Sequence, residues 1–347
     1  MRLAMAGLHP DRTRALVEEH GSAAGALASI RAGRVPVSRR ARSALERSPA
    51  ELERMLDGLG VVPCYRGGDG YPESLAGIID PPDVLFVRGL VPDRPAVAVV
   101  GTRRCTAYGR ALARSYGSAI AAAGWVAVSG LARGIDAEAH RGTVEAGGRG
   151  VAVLGSGSNV VYPPEHRDLH RALLDGGGAV VTEYPPGTPP QPWRFPPRNR
   201  IIAGLSAATV VVEAAVTGGA LITAGLAADQ GRMVFAVPGD VGREVSEGCN
   251  LLIRDGAVPV LGADDLIEGL TLVLGPPAVP RGTAPDPEPG SGDEAVLRAT
   301  GPAGAPIEEV IAATGLPPAE VLAAVARLEA VGAVSRSGGR VVPTPGR

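Results

Sequence analysis

The sequence predicts a doubly wound α/β domain over residues 95–269, built on a mostly parallel sheet. Three observations carry this. Seven short apolar runs recur: AVAVVG, WVAVSG, GVAVLG, AVVTE, TVVVEA, MVFAVPG and VPVLG, at residues 96–101, 125–130, 150–155, 179–183, 209–214, 233–239 and 258–262. They lack period-two alternation, which fits strands covered on both faces. Helical spacing fills the gaps, as with Leu112, Tyr116, Ala119, Ile120 and Ala123 between the first two runs. Strand, glycine turn, helix, strand in repetition makes right-handed βαβ units.

The flanks read differently. Residues 1–58 form short helices, with Ala15, Leu16 and Glu19, then Ala26, Leu27 and Ile30, on either side of a break at Gly21. A further helix over residues 42–59 places Leu45, Leu52, Leu56 and Leu59 on one side. Ten arginines against seven acids in residues 1–58 read as an ordinary solvated face. The α/β domain extends over residues 59–274. Residues 275–292 hold six prolines and four glycines and read as an extended linker. Beyond it, helices begin near Asp293, cover residues 306–314 up to Gly315, and cover residues 317–331 with Val321, Val325 and Leu328 on one face. AVSRSGGRVVP closes the chain as two strands around Gly338 and Gly339. Three helices and a hairpin in this order resemble a winged helix-turn-helix.

Composition narrows the function. With 347 residues, 45% hydrophobic and 20% charged, the chain is an ordinary globular one. A formal net charge of −2 excludes a uniformly basic surface, so any polyanion site is local. All 34 basic residues are arginine, so every cationic contact is a planar fork suited to phosphate. Cys64, Cys105 and Cys249 are too sparse for a disulfide frame or thiolate metal site and fit a reducing compartment. The N-terminal residues lack a signal-like apolar run, and no apolar stretch approaches the ~20 residues of a membrane span. A cytoplasmic protein without metal or cofactor is expected.

In open parallel sheets, ligands sit beyond the carboxyl ends of the strands where strand order reverses. The first run ends in GTRRCTAYG, where Gly101 allows close approach, Thr102 offers a hydroxyl, and Arg103 and Arg104 supply charge before a helix N-terminus. This is not GxGxxG, so no dinucleotide is indicated. SGLARGIDAEAH brings Gly130, Arg133 and Gly134 to the crevice, with Asp136 and His140 at helical spacing read as a capping or packing pair. Gly155 heads a third glycine turn. PPQPWRFPPRNR reads as a proline-stiffened loop, in which Trp193 and Phe195 stand beside Arg194, Arg198, Asn199 and Arg200. Stacking faces interleaved with guanidinium groups suit single-stranded nucleic acid. Gly218 and Gly219 open another anion-ready helix, and Glu213 is the best lone carboxylate of the crevice. HExxH, GxSxG and P-loop patterns are absent.

The strings GTRRCTAYG, SGLARGIDAEAH, AVLGSGSNVVYP, FPPRNRIIAGLS, EAAVTGGALITA and AVPGDVGREVSEGCNLLIRDGA, in this order, resemble the DNA-processing protein A (DprA/Smf) family over residues 65–270. The resemblance implies a Rossmann-like, non-enzymatic protein that binds single-stranded DNA, dimerises, and loads the RecA recombinase during natural transformation. It places the family's phosphate-contacting arginine on Arg103 and its FPxRNR segment on Phe195, Arg198, Asn199 and Arg200. It also implies an N-terminal helical domain of the sterile-alpha-motif or helix-hairpin-helix type, whose hairpin here reads GLHPDR and lacks the second glycine. In the winged-helix unit the third helix carries Glu320, Arg327 and Glu329, and residues 293–347 hold six acids against five arginines. That balance makes a poor reader of duplex DNA and favours a protein contact. Two alternatives are weaker. A nucleotide hydrolase of the lysine-decarboxylase-like type would need a glutamate where Gly225 stands, and a winged-helix transcription regulator would need a basic third helix.

Overall fold

A computed structural model describes residues 1–276, 291–301, 304–330, 334–337 and 339–343, with the side chains of 40, 329, 330, 335–337 and 343 left out of the description. The chain divides into two compact units, Met1–Pro276 and Pro277–Arg347. Most of the proline- and glycine-rich linker lies outside the described residues.

The first unit opens with five helices: α1 (Arg2–Met5), α2 (Pro10–Glu19), α3 (Ala23–Arg31), α4 (Arg39–Glu46) and α5 (Pro49–Gly58). The expected single helix over 42–59 is two. Ser48 caps the second, its hydroxyl accepting from Glu51 N at 3.2 Å while the Glu51 carboxylate accepts from Ser48 N at 2.7 Å. A residue before proline avoids the helical region, and this reciprocal cap restarts the helix at Pro49.

Next come β1 (Val61–Tyr65), α6 (Glu73–Ala76) and β2 (Val84–Gly89), then β3 (Ala96–Val100), α7 (Ala107–Ala122), β4 (Val126–Ser129), α8 (Ile135–Glu145), β5 (Gly150–Val153), α9 (Arg167–Asp175) and β6 (Ala179–Thr182). They are followed by α10 (Phe195–Leu205), β7 (Ala208–Val211), α11 (Gly219–Asp229), β8 (Met233–Ala236), α12 (Glu244–Arg254), β9 (Val258–Pro259) and α13 (Ala263–Leu274). The nine strands order as β1-β2-β6-β5-β4-β3-β7-β8-β9. β3 to β9 pair in parallel, as the seven runs predict. β1 and β2 add an antiparallel edge beyond β6 that the seven runs do not include. Pro63 lies within β1, a residue tolerated only where a strand has a free edge.

Two core clusters fill the faces of this sheet. One centres on Val128, Val151, Val181 and Ile202, and the other on Val97, Val99, Tyr116 and Phe235. Helices α7 and α8 approach until backbones touch, since a Cβ on Gly117 would overlap the Ala139 carbonyl. The N-terminal helices are not free-standing: Met5, Leu52 and Leu56 pack with Val61, Val84 and Phe86 of the sheet edge.

The second unit contains α14 (Gly292–Thr300), β10 (Ala305–Pro306), α15 (Ile307–Thr314), α16 (Pro318–Ala330), β11 (Val334–Ser337) and β12 (Arg340–Pro343). Its strands order as β10-β12-β11 around a core of Val296, Val310, Val321, Val325 and Val341. This is the expected winged-helix arrangement.

Asp136 and His140 do not pair with each other. Asp136 caps, accepting from Gly130 N at 3.1 Å and Ala132 N at 3.4 Å. His140 is fully buried against β5, and loss of water pushes its pKa down to about 3. The unfolded chain binds this proton near pH 6.5 and the folded one does not, so stability present above pH 6.5 is lost as pH falls toward 3. His140→Leu is expected to flatten that decline by up to about 1.4 kcal/mol per pH unit, read as urea midpoints between pH 7 and pH 4. An unchanged slope would contradict the buried neutral ring.

Candidate nucleic-acid interface

The sheet order locates the site. From β3 the chain winds outward through β4, β5 and β6, then returns to place β7 on the other side of β3. The loops after β3 and β7 therefore diverge and leave a crevice at the carboxyl ends of the strands. A cleft of about 520 Å³ occupies it, lined by Gly101, Thr102, Arg103 and Arg104 from the first loop and Gly218 and Gly219 from the second. Tyr162, Phe195, Arg198 and Asn199 complete the wall, with Asp136 at the base.

The floor is built tightly. Gly134, at φ +78°, turns the chain into α8, and a side chain there would overlap the Thr102 carbonyl. Leu131 takes the left-handed conformation (φ 54°) in the preceding turn. That costs roughly 1–2 kcal/mol. Complete burial of its side chain offsets the strain by about 1.5–3 kcal/mol. The His166 ring nitrogen, 2.9 Å from the Leu131 carbonyl, and the Asp136 carboxylate fix the same turn.

The proline-stiffened loop is instead a single 3-10 turn, Pro192–Arg194, running into helix α10. Prolines are compatible with a first helical turn, where N–H groups have no intrahelical acceptor. This changes what its residues do, because neighbours on a helix point about 100° apart. Arg198 reaches under the strand ends and donates to the Val153 carbonyl. It is 5% exposed, and burial lowers its pKa to about 10, so it remains cationic at neutral pH. Gly130 makes this possible, since a Cβ there would overlap the guanidinium. Asn199 donates to the Gly219 carbonyl at 3.1 Å and ties α10 to the start of α11.

Arg200 turns away from the cleft altogether. It is buried and forked onto Glu183, with contacts of 2.7 and 3.0 Å, and its Nε donates to Asp80 at 3.1 Å. Asp80 also pairs with Arg14 of α2. Arg200 thus belongs to a buried ion-pair network between the helical segment and the sheet, and the expectation that it contacts phosphate is corrected on that ground.

Four other expected site residues are also placed elsewhere. Arg194 is buried, donates to the Pro189 carbonyl and lies over the Tyr184 and Trp193 rings at 5.0 and 4.5 Å. Trp193 is half exposed, and its ring meets His9 at 5.2 Å, where the GLHPDR hairpin docks on this segment. Arg133 is exposed and pairs with Glu165 at 2.5 Å. Gly155 lies under Phe195, with the ring 3.0 Å from where a Cβ would stand. Glu213 is no free carboxylate either. It accepts from Thr106 N at 2.8 Å and Thr106 Oγ at 2.6 Å, capping α7.

What remains in the cleft is chemically specific. Arg103 and Arg104 are exposed and form no ion pair among the described residues. Arg103 stands over the Phe195 ring at 5.0 Å, and Tyr162 flanks that ring at 5.7 Å. Helix α11 adds N-terminal N–H groups that no side chain caps. Asp136 lies buried at the base, where burial raises its pKa and the Arg198 guanidinium opposes that shift. The site combines unpaired cations, helix-end donors and two aromatic rings, the exposed Tyr162 and the half-buried Phe195. Tyr162 was not singled out from the sequence, although it lies inside the quoted glycine-turn string.

Comparison with known proteins agrees with this geometry. Residues 64–271 match the family model of DNA recombination-mediator protein A, and residues 280–340 match the DprA winged helix domain. Protein Smf of Escherichia coli is 43% identical over 206 residues, which cover 59% of this chain and 55% of the relative's length. The chain thus spans about half of that protein. The X-ray structure of DNA processing protein A from Streptococcus pneumoniae superposes with a TM-score of 0.62 at 31% identity, over 77% of this chain and 95% of that one. DNA processing protein A from Helicobacter pylori, a protein with a unique single-stranded-DNA-binding mode, shares the fold at a TM-score of 0.51 and 24% identity, over 58% and 93% of the two chains. The seven parallel strands, the cleft at their switch point and these matches together place the chain in the DNA recombination-mediator protein A (DprA/Smf) family.

Proposed function

We propose that the cleft holds single-stranded DNA without cutting it, and that the protein acts as a cytoplasmic homodimer that loads RecA on incoming strands during natural transformation. The observation that carries the DNA reading is the Arg103–Phe195–Tyr162 arrangement, a cation and two aromatic rings on one wall of the cleft. Guanidinium groups alone fit any phosphate, whereas aromatic faces beside them fit a strand of bases. The single-stranded-DNA binding of the Helicobacter pylori relative supports this reading.

Binding without turnover is supported by how the acids are used. Glu213 and Asp136 both accept backbone N–H groups, which engages them in holding loops in place. The three cysteines are buried free thiols, consistent with a reducing compartment. A dimer would set two clefts on one strand and raise avidity without new contacts.

Substitution separates the cleft from its scaffold. Arg103→Ala is expected to weaken single-strand binding for every sequence and make its salt dependence shallower by about 0.7 in the log–log slope. Unchanged affinity would sink the assignment of the cleft. Phe195→Ala should cost about 1–3 kcal/mol of binding per stacked base and leave the salt slope alone, as titration at two ionic strengths would show. Arg200→Ala should act on stability instead. Stranding Glu183 without its partner is expected to cost about 3–5 kcal/mol, read from urea midpoints.

A further inference from the structure

We propose that helix α4 and the turn before it form a second nucleic-acid site, one that takes the phosphate backbone of duplex DNA. Residues 31–47, RAGRVPVSRRARSALER, contain six arginines and one acid. Arg31, Arg34, Arg39, Arg42 and Arg47 are exposed. Among the described residues none of these five has a carboxylate within ion-pair distance. Elsewhere in the same unit Arg66, Arg114 and Arg141 pair with carboxylates on the surface, and exposed arginines without an ion pair, such as Arg94, Arg110 and Arg149, stand singly and not in a run. Arg12 of α2 adds a further exposed cation, its guanidinium donating to the Pro36 carbonyl at 2.5 Å.

Packing shows which way this charge faces. Leu45 of α4 is 1% exposed and enters the small helical core with Leu3, Leu16 and Ile30, and Ala41 is equally buried. Arg39 and Arg42, three apart, then share the outer face. They stand in the first turn of α4, where the helix dipole favours carboxylates and where like charges repel. Folding gains nothing from cations in that position, and the helix tolerates them through the Ser38 cap on Ala41 N at 3.2 Å. A polyanion supplies the missing counter-charge. Residues 31–47 contain no Phe, Trp or Tyr, so the segment itself offers no ring for a base to stack on. Charge without stacking favours the duplex, whose phosphates are denser along the axis than those of a single strand.

The test uses the full chain with Arg39→Gln and Arg42→Gln together, titrated with a blunt random-sequence duplex and a single strand at several salt concentrations. Duplex binding is expected to weaken with a log–log salt slope shallower by about 2, while single-strand binding changes little. Arg39→Lys with Arg42→Lys should restore duplex binding, because phosphate contact needs charge and not the fork. Arg103→Ala should show the opposite selectivity, so this site and the cleft fail separately. Unchanged duplex affinity in a variant that melts like the parent would overturn the proposal. So would loss of binding to vesicles rich in phosphatidylglycerol with duplex binding intact, which would assign the face to a membrane.

Discussion

The clamp made by Glu213 across the switch point is the interaction on which the cleft depends. Its carbonyl accepts from Thr102 N at 2.7 Å, and its carboxylate takes both the N–H and the hydroxyl of Thr106. One residue at the end of β7 therefore fixes both ends of the loop that follows β3. A buried carboxylate without partners would be costly, but here the donors and the positive end of the 16-residue α7 satisfy it. Gly101 and Gly109 allow this closeness, since Cβ atoms there would run into Glu213. The intervening residues are held taut, and Arg103 and Arg104 stand outward over the cleft.

Helix α10 does the complementary work from the other wall. Its first turn presents Phe195 to the cleft, and its next three residues diverge to three partners. Arg198 braces the strand ends, Asn199 fastens α11, and Arg200 anchors the edge that carries Asp80 and Glu183. Two of these three side chains are arginines, yet neither is an exposed cation. Arg198 contributes charge to the base of the cleft from a buried seat, which leaves direct contact to the exposed Arg103 and Arg104. Through Asp80 the Arg200 network continues to Arg14 in α2, so the helical segment and the cleft wall share one set of ion pairs.

Much of this was legible in the residues. The seven strands of the parallel sheet followed from apolar runs ending in glycine, because strands covered on both faces leave that plain mark. The winged-helix order of the second unit was read from the same periodicities. The direction of the arginines was not legible. Arg200 is neutralised by residues 17 and 120 positions away, and no local pattern announces such partners. The prolines of FPPRNR misled in a particular way. They forbid a helix interior but suit its first turn, so a stretch that reads as a loop opens a helix and separates Trp193 from Phe195. β1 and β2 lie outside the seven runs, and Pro63 marks β1 as an edge strand, which tolerates what a central one cannot.

The absence of lysine turns the charge question into one about partners. Arginine remains charged in every setting met here, so what distinguishes sites is whether a carboxylate is within reach. Three populations result. Arg194, Arg198 and Arg200 are buried and hold the architecture. Arg66, Arg114, Arg133, Arg141 and Arg243 are surface arginines with acid partners, and such pairs add little stability or net field. Among the described residues, exposed arginines without an ion pair include Arg103 and Arg104 in the loop after β3 and a run of five around α4, with others such as Arg94, Arg110 and Arg149 scattered singly. A net charge of −2 is therefore no obstacle to binding a polyanion. It averages over a surface on which arginines without an acid partner set the local positive field.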